Sequence, residues 1–173
     1  QAHEPVIVFK ELVEQVQQPS TQALQQQVTA HFALNLERMI RMGREAGGEV
    51  VLVTPASNLG GSSPFKSEVS KSIRPEERER FAALLEGGLD LLEAGRPGAG
   101  RLLLTQALEI DPRHAHAWFF LGKAERAQGR QEAAATAFVR ARDEDICPLR
   151  ALSGFASIIR EISQRVDAPL VDF

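Results

Sequence analysis

An internal repeat with a period of 34 residues limits the folds that are open to this chain. Residues of the same or similar type recur at this spacing along two successive segments. The matching pairs are Leu84 and Trp118, Gly88 and Gly122, Gly95 and Gly129, Leu104 and Phe138, Ala107 and Ala141, and Asp111 and Asp145. A unit of this length holds two helices and a turn, and it must stack on a neighbour to bury its apolar face. The repeat therefore predicts a stacked helical array.

The motif residues are clearest in the second copy. They are Trp118-x-x-Leu121-Gly122, then Ala134-x-x-x-Phe138, then Ala141. This pattern resembles the tetratricopeptide repeat, a helix-turn-helix unit. Gly88 and Gly122 are expected where the two helices of one repeat cross closely. Gly95 and Gly129 are expected to end the first helix of each repeat in a left-handed conformation.

The two copies also depart from the family pattern. Glu125 stands where the family has an aromatic residue, Gly100 replaces a small alanine, and Ile146 stands in place of the closing proline. Asp111 is expected to cap the helix that follows, with Pro112 in its first turn. Because such arrays need about three repeats, we expect the flanking helices to cover the ends of this pair.

Outside the repeats the hydrophobic pattern changes. Helical spacing predicts helices over about 5–18 and 20–46, and helical spacing continues after Pro75 to about residue 166. Continuous apolar runs over 49–54 and 168–173 predict strands of the kind buried in parallel sheets. Residues 56–74 are rich in Gly, Ser and Pro and predict a long loop, which favours a functional loop or an insertion junction.

A second resemblance lies in the flanking segments HFALNLERMIRMGREAGGEVVLVTPASNL, SPFKSE, RDEDICPLRA and IIREISQRVDAPLVDF. They resemble the SGNH (GDSL-like) hydrolases, and within them a bacterial branch that carries tetratricopeptide helices between two core strands. The resemblance covers about residues 31–173. It implies a flavodoxin-like sheet and a parent protein that hydrolyses ester or acyl groups with a serine nucleophile.

With this resemblance, the fold prediction is a mainly α chain with a small α/β portion. A tetratricopeptide helix-turn-helix pair is inserted between two strands of a flavodoxin-like sheet. The expected domains are residues 1–62, helices plus one core strand; residues 63–148, the repeat insertion; and residues 149–173, a helix and a strand that return to the α/β layer.

The catalytic residues of the hydrolase family do not carry over to this chain. It contains neither a Gly-Asp-Ser nor an Asp-x-x-His motif. With no Met at residue 1 and a strand pattern that runs to the last residue, the resemblance implies a non-catalytic middle segment of a longer enzyme. It also implies a bacterial protein. The compartment stays open, with an envelope location, through a segment outside this chain, as one alternative.

Three residues at and just beyond the end of the first predicted strand are candidates for the rim of an active site in such a parent: Thr54, Ser57 and Asn58. Ligands of open α/β sheets bind beyond the carboxyl ends of parallel strands. The alternative is an ordinary turn in which Ser57 or Asn58 satisfies backbone groups. Ser57 is not expected to act as a nucleophile, because no base partner is identifiable.

A second candidate site follows one face of the helix that carries Trp118. His116, Phe119, Lys123 and Arg126 share this face, opposite the packing residues, and it is expected to line the groove of the repeat array. The corresponding face of the first copy is apolar and comprises Ala82, Leu85, Leu89 and Leu92. A basic and aromatic stripe suits an acidic peptide. The alternative, packing against the chain's own helices, is the favoured interpretation.

Composition excludes several classes of function. The net charge of −3 argues against a nucleic-acid surface, and a single cysteine, Cys147, excludes an internal disulfide and a thiolate zinc cluster. No apolar run is long enough for a membrane span. His114 and His116 point about 200° apart on a helix, so no metal site is expected, nor any cofactor. Two hypotheses remain: the middle segment of a hydrolase, whose partner is the rest of its own polypeptide, or a freestanding protein-binding module.

Overall fold

The computed structural model describes residues 22–173 and is mainly helical. The predicted helix over 5–18 lies outside the described residues. The elements in chain order are α1 (Gln22–Glu45), β1 (Leu52–Val53), α2 (Pro75–Glu93), α3 (Pro97–Ile110), α4 (Ala115–Ala127), α5 (Gln131–Asp143), α6 (Ser153–Val166) and β2 (Leu170–Val171). Among residues 22–173, no helix combines the length and the apolar character that crossing a membrane requires.

The chain forms two compact units. The first contains the described residues up to Ala56 together with residues 151–173, and the second contains residues 57–150. The second unit holds both copies of the repeat and the long loop that precedes them. Each unit has its own hydrophobic core.

The first unit is a small α/β layer. Strands β1 and β2 are parallel and pair Leu52 with Leu170 and Val53 with Val171. Helices α1 and α6 pack against each other, and the rings of Phe32 and Phe155 meet edge to face at 4.9 Å. The buried core of this unit is Ile40, Leu52, Ile159, Ile162 and Ala168.

The strands are shorter than predicted, and only one face of the pair is buried. Leu52 and Thr54 point into the unit, whereas Val51 and Val53 are about half exposed. The sequence pattern could not separate these cases, because a short continuous apolar run shows no alternation between an inner and an outer face. A two-stranded parallel pair is therefore present, but a flavodoxin-like sheet is not shown in residues 22–173.

The second unit stacks two helix pairs, α2 with α3 and α4 with α5. The repeat residues lie at the helix contacts: Leu104, Ala107, Ala134, Phe138 and Ala141 are buried, Leu121 nearly so, and Leu84 and Trp118 pack half-buried against this core. Gly95 and Gly129 have φ of 70° and 76° in the turns between paired helices. This left-handed conformation allows the second helix to start at once and fold back.

Helix α4 begins at Ala115, later than a helix capped by Asp111 would begin. The residue before it is His114, whose Nδ1 accepts a hydrogen bond from Ala117 N at 3.2 Å. The prediction that Asp111 caps this helix is wrong. Its carboxylate instead accepts hydrogen bonds from Ser70 N, Ser70 Oγ and Arg113 N, at 2.9, 2.8 and 3.2 Å. A partner distant in sequence has taken the carboxylate that a local pattern assigned to the helix.

The long loop is an ordered strap, defined here as residues 57–73, that runs along the repeat pair without helix or strand. Asp145, which is equivalent to Asp111 in the next repeat, accepts hydrogen bonds from Phe65 N and Lys66 N at 2.7 and 3.0 Å. Asp111 holds Ser70 as described above. Arg78 donates from Nε to Ile73 O and from Nη2 to Ser70 O, at 2.8 and 3.1 Å. The two repeat aspartates therefore bind the main chain of the strap at successive points.

Candidate functional site

An open groove of about 610 Å³ lies between α2 and α4 in the second unit. Leu89 and Leu92 line it from the first repeat, and Phe120, Lys123 and Arg126 line it from the second. Glu93 contributes a carboxylate at its edge. The groove thus combines an apolar wall from one repeat with an aromatic ring and two cations from the next.

The two cations are held by aromatic rings. Lys123 Nζ lies 5.5 Å from the ring centre of Phe119 and 5.7 Å from that of Phe120. The Arg126 guanidinium lies 5.3 Å from the ring centre of Phe138. Both side chains belong to exposed residues, and neither forms an ion pair within residues 22–173. Ring contact positions each charge without neutralising it, so both cations can pair with an incoming carboxylate.

The structure brings together Lys123 and Arg126 but separates them from the other two predicted groove residues. Phe119 is only 4% exposed and packs against Phe138, with ring centres 5.6 Å apart. His116 is covered by the strap: its Nε2 lies 3.1 Å from Pro64 O, and its backbone N–H donates to Ser67 Oγ at 2.9 Å. Neither residue lines the groove.

Only part of the apolar face of the first repeat lines the groove. Leu89 and Leu92 reach the groove, whereas Leu85 packs against the main core cluster and Ala82 lies exposed outside the groove. The sequence predicts that the chain's own helices cover this face. Within the second unit, the strap covers His116 near the start of α4 and leaves the groove between α2 and α4 open.

Sequence reasoning missed Phe120 as a groove residue. Counting in steps of three from His116 selects Phe119, whereas counting back three from Lys123 selects Phe120. Both aromatic residues fit a helical face, because a helix has 3.6 residues per turn and neighbouring positions differ by about 100°. Spacing from the two cations does not select Phe120 either, because Phe119 lies four residues before Lys123 and seven before Arg126, which are also same-face spacings.

The three rim candidates have internal partners. Thr54 is buried, donates from Oγ1 to Asp172 Oδ1 at 2.8 Å and accepts from Phe173 N at 2.8 Å. Asn58 Oδ1 accepts from Gly61 N at 2.9 Å and closes a turn. Ser57, half-buried, accepts at its backbone O from Leu59 N at 2.9 Å. Thr54 belongs to the first unit, and Ser57 and Asn58 to the second.

The histidine pair has structural roles. The rings of His114 and His116 are 6.3 Å apart; His114 is buried against Phe81, and His116 contacts the strap. Burial lowers the pKa of His114 from 6.5 to about 4, with an opposing effect from Asp111 and a smaller lowering by His116. No group of three or more His, Cys, Asp or Glu side chains within residues 22–173 is arranged to hold a metal ion.

Residues 85–148 match the family model described as tetratricopeptide repeat. Comparison with curated proteins and with solved structures gives no match. The matched segment runs from the middle of α2 through α5 and contains both sides of the groove. The chain therefore contains tetratricopeptide repeats, of the class that generally mediates protein–protein interaction, and they build the candidate site.

Proposed function

We propose that this chain is a protein-interaction scaffold whose groove between α2 and α4 binds an acidic peptide with apolar side chains. The observation that carries the proposal is the groove itself. Leu89 and Leu92 offer apolar area from one repeat, and Lys123 and Arg126 offer two cations from the next that have no acidic partner within residues 22–173. An extended peptide places its side chains on alternate sides, so leucines and carboxylates can contact the two walls together.

Charge also sets the direction in which such a peptide would lie. Glu93 lines the α2 side of the groove, where it repels a carboxylate, while Lys123 and Arg126 lie on the α4 side. The acidic side chains of the partner are therefore expected along α4 and its apolar side chains along α2. Because exposed ion pairs are screened by salt, the affinity should fall as ionic strength rises.

The test reverses both cations with Lys123→Glu and Arg126→Glu in one variant. Its probe is a fluorescein-labelled peptide of alternating leucine and glutamate, and fluorescence anisotropy measures binding. We expect at least a tenfold loss of affinity, about 1.4 kcal/mol, because two attractive charges become repulsive. The same variant should gain affinity for a peptide with lysine in place of glutamate.

The matched control carries the same charge change outside the groove, with Lys71→Glu and Arg80→Glu, both at exposed positions. It should bind the acidic peptide with nearly wild-type affinity. Equal losses in the two variants would mean that net charge alone attracts the peptide. Unchanged binding in the groove variant would refute the proposal.

The second candidate function is the hydrolase role that the resemblance of the flanks implies. The parallel pair of β1 and β2, packed on α1 and α6, favours it, since isolated two-stranded parallel sheets are rarely stable. In this proposal Thr54, Ser57 and Asn58 rim the active site of a longer Ser-dependent enzyme, and the repeats position a substrate or partner. Gly-Asp-Ser before and Asp-x-x-His after these residues in the reading frame would support it, and their absence would reject it.

A further inference from the structure

The second repeat has an apolar face that corresponds, residue by residue, to an interface within the chain. We call this the stacking face: Phe119, Ala134, Phe138 and Ala141, which form one buried cluster. At an offset of 34, the equivalent residues of the first repeat are Leu85, Gly100, Leu104 and Ala107. Both sets lie where the first helix of a repeat crosses the second.

In the first repeat, part of this face is covered by the next repeat. Leu104 and Ala107 lie in one core cluster with Ala117, Leu121 and Ala124 of α4. No third repeat follows α5 among the elements of the second unit. The stacking face of the second repeat needs a different cover, because an exposed apolar face of this kind promotes association.

The cover is the beginning of the strap. Leu59 packs against the stacking-face cluster. The backbone of Gly60 passes close by: a Cβ added there would lie 3.2 Å from Phe138 Cε2 and 2.7 Å from Arg126 Nη1. A turn at residues 59–61 thus occupies the place that α4 takes on the first repeat.

Polar contacts hold this cover in place, and its outer side is polar. Asp145 binds Phe65 N and Lys66 N, and Arg150 Nη1 donates to Ser62 O at 2.9 Å. Asn58, Gly61, Ser62 and Ser63 are exposed. Terminal units of helical repeat arrays have this character, an apolar inner side and a polar outer side, and they keep the array from growing.

A second copy of the chain carries a surface that matches the stacking face. The positions of α4 that cover the first repeat, Ala117, Leu121 and Ala124, correspond to Ala83, Gly87 and Asp90 of α2. Ala83 is exposed and Gly87 is partly exposed. Helix α2 of another copy thus offers small residues at two of these three positions, and small residues allow a helix to approach the stacking face closely.

We propose that residues 57–66 of the strap close the stacking face against head-to-tail association with α2 of a second copy. Such an interface is heterologous, so without the strap each copy keeps one free stacking face and one free α2, and assembly proceeds beyond the dimer. The stacking face adjoins the peptide groove at Arg126, whose guanidinium lies over Phe138, but the two proposals have different readouts, molecular mass here and peptide affinity for the groove.

The experiment removes the apolar anchor of the strap with Leu59→Ser and measures mass by sedimentation velocity over a concentration series. The wild-type chain should stay monomeric, while the variant should form dimers and larger species as its concentration rises. Hydrogen exchange at the amides of Phe65 and Lys66 should accelerate, which reports release of the strap. The matched control is Leu149→Ser, the same change at a leucine that is 73% exposed, and it should stay monomeric.

A double variant tests the partner surface. Adding Ala83→Glu to Leu59→Ser places a charge on the exposed side of α2 and should return the protein to a monomer. Three results would overturn the proposal: a monomeric Leu59→Ser variant with accelerated exchange, unchanged exchange at both amides, or association that Ala83→Glu leaves intact. If the circular dichroism of Leu59→Ser shows that its helices are lost, the same measurements are made on Leu59→Ala. Loss of helicity in both variants also contradicts the proposal, because the proposal requires that the repeats stay folded when the strap is released.

Discussion

His114 performs a task at the start of α4 that depends on its protonation. Its Nδ1 accepts the hydrogen bond of Ala117 N, so the neutral ring carries its proton on Nε2. Protonation of Nδ1 would remove this cap and place a positive charge at the positive end of the helix dipole. The ring is also buried against Phe81, which disfavours the charged form and lowers the pKa of His114 to about 4.

We therefore expect acid to destabilise the repeat pair. The pKa of His114 is about 4 in the folded chain and 6.5 in the unfolded chain, so the unfolded chain binds more protons between these pH values. The free energy of unfolding should fall by at most about 3 kcal/mol as the pH drops through this range, and this contribution is lost below pH 4.

Urea denaturation at several pH values measures this effect. Other acids and histidines titrate as well, so the informative comparison is with His114→Asn, which can accept the same hydrogen bond without titrating. The variant should show a shallower dependence of stability on pH between 4 and 6.5. Equal slopes in the two proteins would exclude His114 as a source of the acid sensitivity.

At the scale of the elements, glycine sets the distance between the paired helices. Gly88 and Gly122 are buried at the crossings of α2 with α3 and of α4 with α5. A Cβ at Gly122 would lie 2.7 Å from both Cδ1 and Cε1 of Phe138, and that ring is already packed against Phe119. The ring has little room to move away, so the helices themselves would have to separate.

Gly122→Ala is accordingly expected to lower the free energy of unfolding by about 1–3 kcal/mol, because overpacking outweighs the gain in helix propensity. Thermal unfolding followed by circular dichroism measures it. Gly98→Ala in α3 is the matched control, since an added Cβ there meets nothing closer than Gln128 Oε1 at 3.5 Å. The control should be neutral or more stable by up to about 1 kcal/mol. A stabilised Gly122→Ala would show that the crossing is looser than its geometry indicates.

At the scale of the whole molecule, residues 57–150 contain both repeats together with the segment that covers them. The strap, the four helices and the aspartates that join them belong to one compact unit. Buried Pro64 and the packed Leu59 and Val69 add apolar contacts from the strap to the repeats. The unit thus has its own core and its own cover.

A fragment of residues 57–150 is therefore expected to fold alone and to unfold in one cooperative transition. A fragment of residues 75–150 should remain helical but lose about 2 kcal/mol or more, because it lacks the buried strap side chains and leaves Asp111 and Asp145 without their partners. Calorimetry of the two fragments measures the difference. Equal midpoints would show that the strap contributes nothing to stability.

Much of the second unit was predictable from the sequence, because its determinants are local and repeated. The 34-residue period placed the helix pairs, and Gly95 and Gly129 marked the turns. Lys123 and Arg126 were predicted to share a face, and both line the groove. These predictions depend on helical periodicity and on residues with special backbone freedom, which act over a few positions.

The path of the strap and the surfaces that it covers depend on tertiary contacts, which no local sequence pattern contains. The strap looks like a structureless loop in the sequence, and only its contacts with Asp111, Asp145 and the stacking face give it an ordered path. The same contacts took the predicted cap from α4, left that role to His114, and covered His116. The repeat and its helices follow from local sequence patterns alone. Packing between segments distant in sequence decided which surfaces are covered and which stay open. A carboxylate or an apolar face contacts the partner that the fold brings next to it, and a local pattern does not identify that partner.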